Sequence, residues 1–262
     1  MQVKEKYDII IEGGQSNADG SGIGPVENEH IPSSQILYLD AIKSVDLDET
    51  GLHIEYADLP FEIKEAEELV VDGNKRGNLA LSFANDYIAS GLLSADRKIL
   101  IIKAAIGGTG FYKGHWGLQD KVYLKMLEMV DYALQLNPKN KIVAFLWHQG
   151  EHDAYEGNPP DIYHKQLSDM LQGVRNRFGT MPFIAADFVH DWKNKNLQAC
   201  KPIVQVIRNV VNENKKSAFV ETDGLLSNDQ KIGNKDELHF CRESLYELGH
   251  RYFKAFSQLI GD

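Results

Sequence analysis

Ser16 follows two glycines at the end of an apolar run, Tyr7-Asp8-Ile9-Ile10-Ile11-Glu12-Gly13-Gly14-Gln15-Ser16-Asn17. A hydroxyl in that place can serve as a nucleophile. The glycines permit a sharp turn with no Cβ in the way, and the side chain emerges at the carboxyl edge of a sheet. Such a serine needs a base, an orienting acid and donors for an oxyanion. Asp236-Glu237-Leu238-His239 sets a carboxylate three residues ahead of an imidazole, so Asp236 can hold Nδ1 of His239 while the ring takes the serine proton. The expected oxyanion donors are the backbone N–H groups of Ser16 and Gly108 and the side-chain amide of Gln149. Losing one such donor costs on the order of 10²–10³ in rate. The chemistry described is acyl transfer.

Each residue also has a plainer reading. Ser16 could cap a helix, Gly107 and Gly108 could only turn the chain, Gln149 could cap a strand end, and a lone His239 could sit at the surface. The combination favours chemistry over these. Tyr112, Trp116 and Trp147 are candidates for an aromatic wall against a sugar ring, although aromatics near strand ends are more often core. His148-Gln149-Gly150-Glu151-His152 satisfies an H-x-x-E-H zinc pattern. It follows directly on a strand, however, and Gly150 is poor for the helix that would bring both histidines onto one face. No metal site is expected. Gly20-Ser21-Gly22-Ile23-Gly24 imitates a dinucleotide loop, which Pro25 and the lack of a following amphipathic helix spoil.

The elements that must position these groups follow from periodicity. Apolar runs at Tyr7 to Ile11, Lys98 to Ala105, Lys141 to Trp147, Met181 to Phe188 and Ser217 to Glu221 read as buried strands. Helix spacing appears at Asn78 to Ser90, Gln119 to Leu136, Asp161 to Phe178, Ile203 to Asn212 and Ser244 to Leu259. Such alternation predicts right-handed crossovers and an α/β fold, a three-layer α/β/α sandwich with about five parallel strands. Residues 17 to 34 read as a polar loop. Ile36 to Leu39 and Leu52 to Ala57 are strand-like, Val45 to Gly51 is acidic and turn-like, and Phe61 to Leu69 is weakly helical. Residues 18 to 76 together read as an irregular insertion over one sheet edge.

The 262 residues suit one α/β domain, with no linker to split it. A formal net charge of −10 disfavours nucleic acid and anionic membrane surfaces as partners. Two cysteines, Cys200 and Cys241, make neither a disulfide framework nor a zinc pattern. Met1 to Lys6 is charged and has no apolar core of a signal peptide, so a cytoplasmic location is expected.

Four blocks carry a family resemblance: Gly14-Gln15-Ser16-Asn17, Ala105-Ile106-Gly107-Gly108-Thr109, Trp147-His148-Gln149-Gly150-Glu151 with Asp153, and Asp236 with His239. In that order they resemble the SGNH hydrolase superfamily, and more narrowly its sialate O-acetylesterase and acetylxylan esterase branch, carbohydrate esterase family six. The resemblance covers nearly the whole chain. It implies a flavodoxin-like sheet, no cofactor, and deacetylation of a small O-acetylated sugar or oligosaccharide, with glutamine in place of the superfamily's asparagine at Gln149. Gln15, Asn17, Gly107, Thr109, Glu151, Asp153 and Trp116 are expected to support the site from behind or to touch substrate. Glu151 is the alternative acid to Asp236. Residues 18 to 76 match no substrate subsite, so the identity of the sugar does not transfer. The competing readings are a thioesterase or lipase-like esterase on the same scaffold and a non-catalytic carbohydrate-binding domain.

Overall fold

The computed structural model describes residues 5–26 and 33–261. At its centre lies β1 (Tyr7–Gly14), buried along its whole length. Successive side chains of a strand point to opposite faces: Ile9 and Ile11 enter one apolar core and Ile10 the other. An isoleucine-rich run covered on both sides is what a central parallel strand requires. β1 passes into a single helical turn, α1 (Ser16–Asp19), where a loop was expected from residue 17; residues 27–32 of that expected loop, and residues 1–4, lie outside the described residues.

The chain continues through β2 (Ile36–Asp40), a hairpin of β3 (Ile42–Asp48) and β4 (Gly51–Tyr56), then β5 (Glu62–Glu65) and the short pair β6 (Val70–Val71) and β7 (Asn74–Lys75). There follow α2 (Leu79–Ala89), β8 (Lys98–Lys103), α3 (Lys121–Leu136), β9 (Lys141–His148), α4 (Glu151–Glu156), α5 (Pro160–Phe178) and β10 (Phe183–Ala186). The last elements are α6 (His190–Lys195), α7 (Leu197–Glu213), β11 (Ser217–Val220), α8 (Asn228–Ile232) and α9 (Arg242–Gly261). The main sheet runs β11-β10-β9-β1-β8-β2-β5, parallel except for β5. Residues of α3, α5 and α7 pack with Ile9 and Ile11, and those of α2 and α9 with Ile10. This is the expected α/β/α sandwich. Strand order reverses at β1, with β8 and β2 to one side and β9, β10 and β11 to the other, which opens a crevice at its carboxyl end.

The segment 18–76 departs most from expectation. It makes this edge of the sheet rather than lying over it, because β2 pairs with β8 as a sixth parallel strand and β5 closes the edge antiparallel. Within Phe61 to Leu69, where a weak helix was expected, Glu62–Glu65 is therefore strand and the rest is irregular. β2 offers unpaired backbone groups that β5 satisfies, and Phe61 is buried while Glu62 faces solvent. Val45 to Asp48 is likewise strand. The Asp48 carboxylate accepts from Thr50 N and Thr50 Oγ1, both at 2.7 Å, which confines the turn to Glu49 and Thr50.

At the carboxyl end of the sheet the register sets Glu12 beside Lys103 and Lys103 beside Asp40. These charged residues share the face of Ile10, directly under α1. Glu12 is fully buried.

Candidate active site

The nucleophile turn is built by backbone approach. Gly14 has φ +131°, and a Cβ there would stand 2.1 Å from the His148 carbonyl oxygen. Only glycine lets the end of β1 close on the end of β9. Gln15 N then donates to His148 O at 2.9 Å, and Ser16 opens α1 with its own N–H facing no acceptor among the described residues. Gln15 Oε1 accepts from His152 N at 3.1 Å and Gly150 N at 3.3 Å, tying the start of α4 to the same turn.

His239 reaches this turn from the far end of the chain. Its Nε2 lies 2.9 Å from Ser16 Oγ, and its Nδ1 lies 2.9 Å from Asp236 Oδ2 and 3.0 Å from Oδ1. With Nδ1–H donating to the carboxylate, Nε2 presents its lone pair to the serine hydroxyl. Burial pushes the Asp236 carboxyl up, but His239 and the Asn228 amide, which donates to Oδ2 at 2.8 Å, outweigh it and hold the group down at about 2. The loop itself is fastened to α8: Asn228 N donates to His239 O at 2.8 Å and Asp229 N to Asp236 O at 2.9 Å. Asn17 clamps it from the other side. Its Oδ1 accepts from Phe240 N at 3.0 Å, while Nδ2 donates to Leu238 O at 3.3 Å and Glu151 Oε1 at 2.9 Å.

Gly107 lies against the nucleophile, since a Cβ on it would be 3.6 Å from Ser16 Cβ. Gly108 follows at φ +75°, and its N–H also faces no acceptor among the described residues. Ser16 and Gly108 therefore each leave a backbone donor without an acceptor among the described residues. Gln149 is engaged at both ends of its amide. It is buried, its Nε2 donates to Asp153 Oδ2 at 2.6 Å, and its Oε1 accepts from Tyr163 Oη at 3.1 Å. The remaining amide hydrogen is held only loosely, by Gln15 Oε1 at 3.3 Å and Thr109 O at 3.5 Å.

The other expected residues sort by contact. Asp153 is fully buried and accepts from Phe111 N at 3.0 Å, Tyr112 N at 2.8 Å and Asn158 Nδ2 at 2.7 Å, shaping the loop after Gly110. Thr109 Oγ1 donates to Ile106 O at 2.7 Å and accepts from Trp116 Nε1 at 3.0 Å. Trp116 is thus no part of a sugar-facing wall. It and Trp147 are fully buried, edge-to-face at 4.9 Å, and of the three expected aromatics only Tyr112 is exposed. Glu151 does not meet His239. Its Oε1 lies 3.3 Å from His148 Nε2, and although burial pushes the carboxyl up, His148 and Asn17 bring it below its ordinary value. The zinc pattern is dispersed: His148 ends β9 against Tyr252 Oη at 3.2 Å, whereas His152 sits on α4 beside the His115 ring. One supporting residue escaped the sequence reading, Asn228. The capping box formed by Ser227 and Gln230 was a readable sign that α8 begins beside Asp236.

A groove of about 810 Å³ opens beside the Gly110 loop, between β4 and residues 113–125, lined among others by His53, Tyr56, Lys113, His115 and Lys121. The profile of the family "Carbohydrate esterase, sialic acid-specific acetylesterase" matches residues 6–258. The chain belongs to that family. It is accordingly a carbohydrate esterase, with a small acetylated carbohydrate as substrate class. Among solved structures, NanS is 18% identical, with a TM-score of 0.76 over 100% of this chain and 99% of that one. A protein from Arabidopsis thaliana is 18% identical, with a TM-score of 0.67 over 97% and 98%. The acetylxylan esterase Axe2 from Geobacillus stearothermophilus is 11% identical, with a TM-score of 0.51 over 98% and 96%. These three share the fold. No curated protein matches the chain. Among the described residues, no helix is long and apolar enough to cross a membrane.

Proposed function

We propose that this carbohydrate esterase removes O-acetyl groups from sialic acids through an acetyl-enzyme on Ser16, with His239 as base and Asp236 as the orienting acid. The observation that carries the reading is the unbroken line from Asp236 through His239 to Ser16 Oγ, each contact near 2.9 Å. Oγ attacks the acetyl carbonyl carbon as Nε2 takes its proton, and the imidazolium is balanced by Asp236. The oxyanion accepts from the N–H groups of Ser16 and Gly108. The loosely held amide hydrogen of Gln149 can turn to it as a third donor. Collapse breaks the bond to the sugar oxygen, which takes the proton back from His239. Water then attacks the acetyl-serine with the same base, and acetate leaves.

Ser16→Ala is expected to lower kcat for p-nitrophenyl acetate by about 10⁴-fold or more while the protein stays folded. Turnover retained in the folded variant would end the serine mechanism. A panel of O-acetylated sialic acids against acetylated xylo-oligosaccharides tests the substrate, and preference for the latter would overturn the sialate assignment. An acyl chain-length series separates this reading from a lipase-like esterase, because only an acetylesterase loses activity steeply beyond two carbons.

A further inference from the structure

The geometry points to Gln15 as a positioning residue for Gln149: its side-chain oxygen keeps the second amide hydrogen of Gln149 beside the nucleophile turn and gives it up to the oxyanion. This deepens the serine-esterase reading above and rests on it. Gln15 is buried and fastened along its backbone, where N donates to His148 O at 2.9 Å and O accepts from Ala18 N at 2.8 Å and Asp19 N at 2.9 Å. Its side chain therefore has a fixed root one residue ahead of Ser16.

Gln15 Oε1 meets three donors: His152 N at 3.1 Å, Gly150 N at 3.3 Å and Gln149 Nε2 at 3.3 Å. The first two are opening amides of α4, whose own N-cap, Gly150, has no side chain to offer them. They also fix which end of the Gln15 amide faces Gln149, because only its oxygen can accept. A carbonyl oxygen has two lone pairs, so a third donor on it is bonded poorly. Gln149 cannot swing round to improve the contact. Asp153 Oδ2 takes its other hydrogen at 2.6 Å, and its own oxygen accepts from Tyr163 Oη at 3.1 Å. Thr109 O, at 3.5 Å, is a weak alternative acceptor. One hydrogen of a firmly held amide is thus left under-bonded. A charged oxyanion out-competes that crowded oxygen, since hydrogen bonds to ionised acceptors are about twice as strong as neutral ones. When the hydrogen leaves, Gln15 keeps both α4 amides, and α4 keeps Asp153 in place.

Two measurements test this. In the first, Ser16 of the wild-type protein is phosphonylated with an ethyl p-nitrophenyl phosphonate and the structure of the adduct is determined. Gln149 Nε2 is expected about 3 Å from the phosphonyl oxygen and out of bonding range of Gln15 Oε1, which keeps Gly150 N and His152 N. An Nε2 still resting on Gln15 overturns the inference. The second is a double-mutant cycle in kcat for p-nitrophenyl acetate. Gln15→Met, which keeps the length and removes the acceptor, is expected to lose about 10–100-fold, with KM within about twofold. The same change in a Gln149→Met background is expected to cost less than about threefold. Equal losses in the two backgrounds, the result of a purely structural role for Gln15, overturn the inference, and so does wild-type kcat in Gln15→Met. If Gln15→Met does not fold, the adduct decides alone. Failure of the underlying reading looks different: no covalent adduct would then form on Ser16.

Discussion

Asp236 is the residue whose charge the site depends on most. Its folded carboxyl titrates at about 2, below the ordinary aspartate value near 3.9. A depressed acid adds stability above its unfolded value and loses it as pH falls through the folded one. Asp236 therefore stays ionised at every pH of ordinary assay. Carboxyl-carbon NMR should find it flat from pH 4 to pH 7, and a midpoint near 4 would contradict the geometry. Asp236→Asn, which leaves the shape but mis-sets the imidazole tautomer, should cost about 10⁴-fold in kcat, read from steady-state rates. The meeting of Ser16, Asp236 and His239 was legible in the sequence because the acyl-transfer reading calls for those residue types together. Asn228 was not, since its value lies wholly in where α8 packs. Gln149 shows the limit differently: the residue type suits an oxyanion donor, but Asp153, four residues on, takes one of its two amide hydrogens in a contact that only the turn of α4 creates.

At the scale of elements, the loop carrying His239 has little regular structure and borrows its rigidity from Asn17. Three hydrogen bonds from that one amide reach Leu238, Phe240 and Glu151. Asn17→Ala should let the imidazole drift from Ser16 and lower kcat by about 10²-fold. Backbone amides around 238–241 should exchange faster in the same variant, and unchanged exchange would sink the clamp. The strands and helices of the sandwich announced themselves through apolar runs and 3.6-residue spacing. The edge strands did not. β3 and β5 expose most of their side chains, so charged residues fill them and hide the period of two. α4 was hidden by Gly150, whose φ of +140° starts a helix where glycine usually ends one.

At the scale of the whole molecule, burial in the sheet floor pushes the Glu12 carboxyl up to about 8, against the pull of Lys103 and Asn78. Between the ordinary glutamate value near 4.3 and about 8 the unfolded chain has released this proton and the folded chain keeps it, so stability falls as pH rises through that window. Glu12→Gln should remove this slope. Its advantage in Tm over the wild type should grow from pH 5 to pH 8, reaching several degrees, and parallel curves would refute a neutral buried Glu12. Neither the family nor the sheet made this legible, because a glutamate inside an isoleucine run says nothing of its three-strand neighbourhood until the register is known. The register also brings together a hydroxyl and an imidazole that are 223 positions apart. In the proposed mechanism the serine therefore stays inert until the segment carrying His239 has folded back against the end of β1.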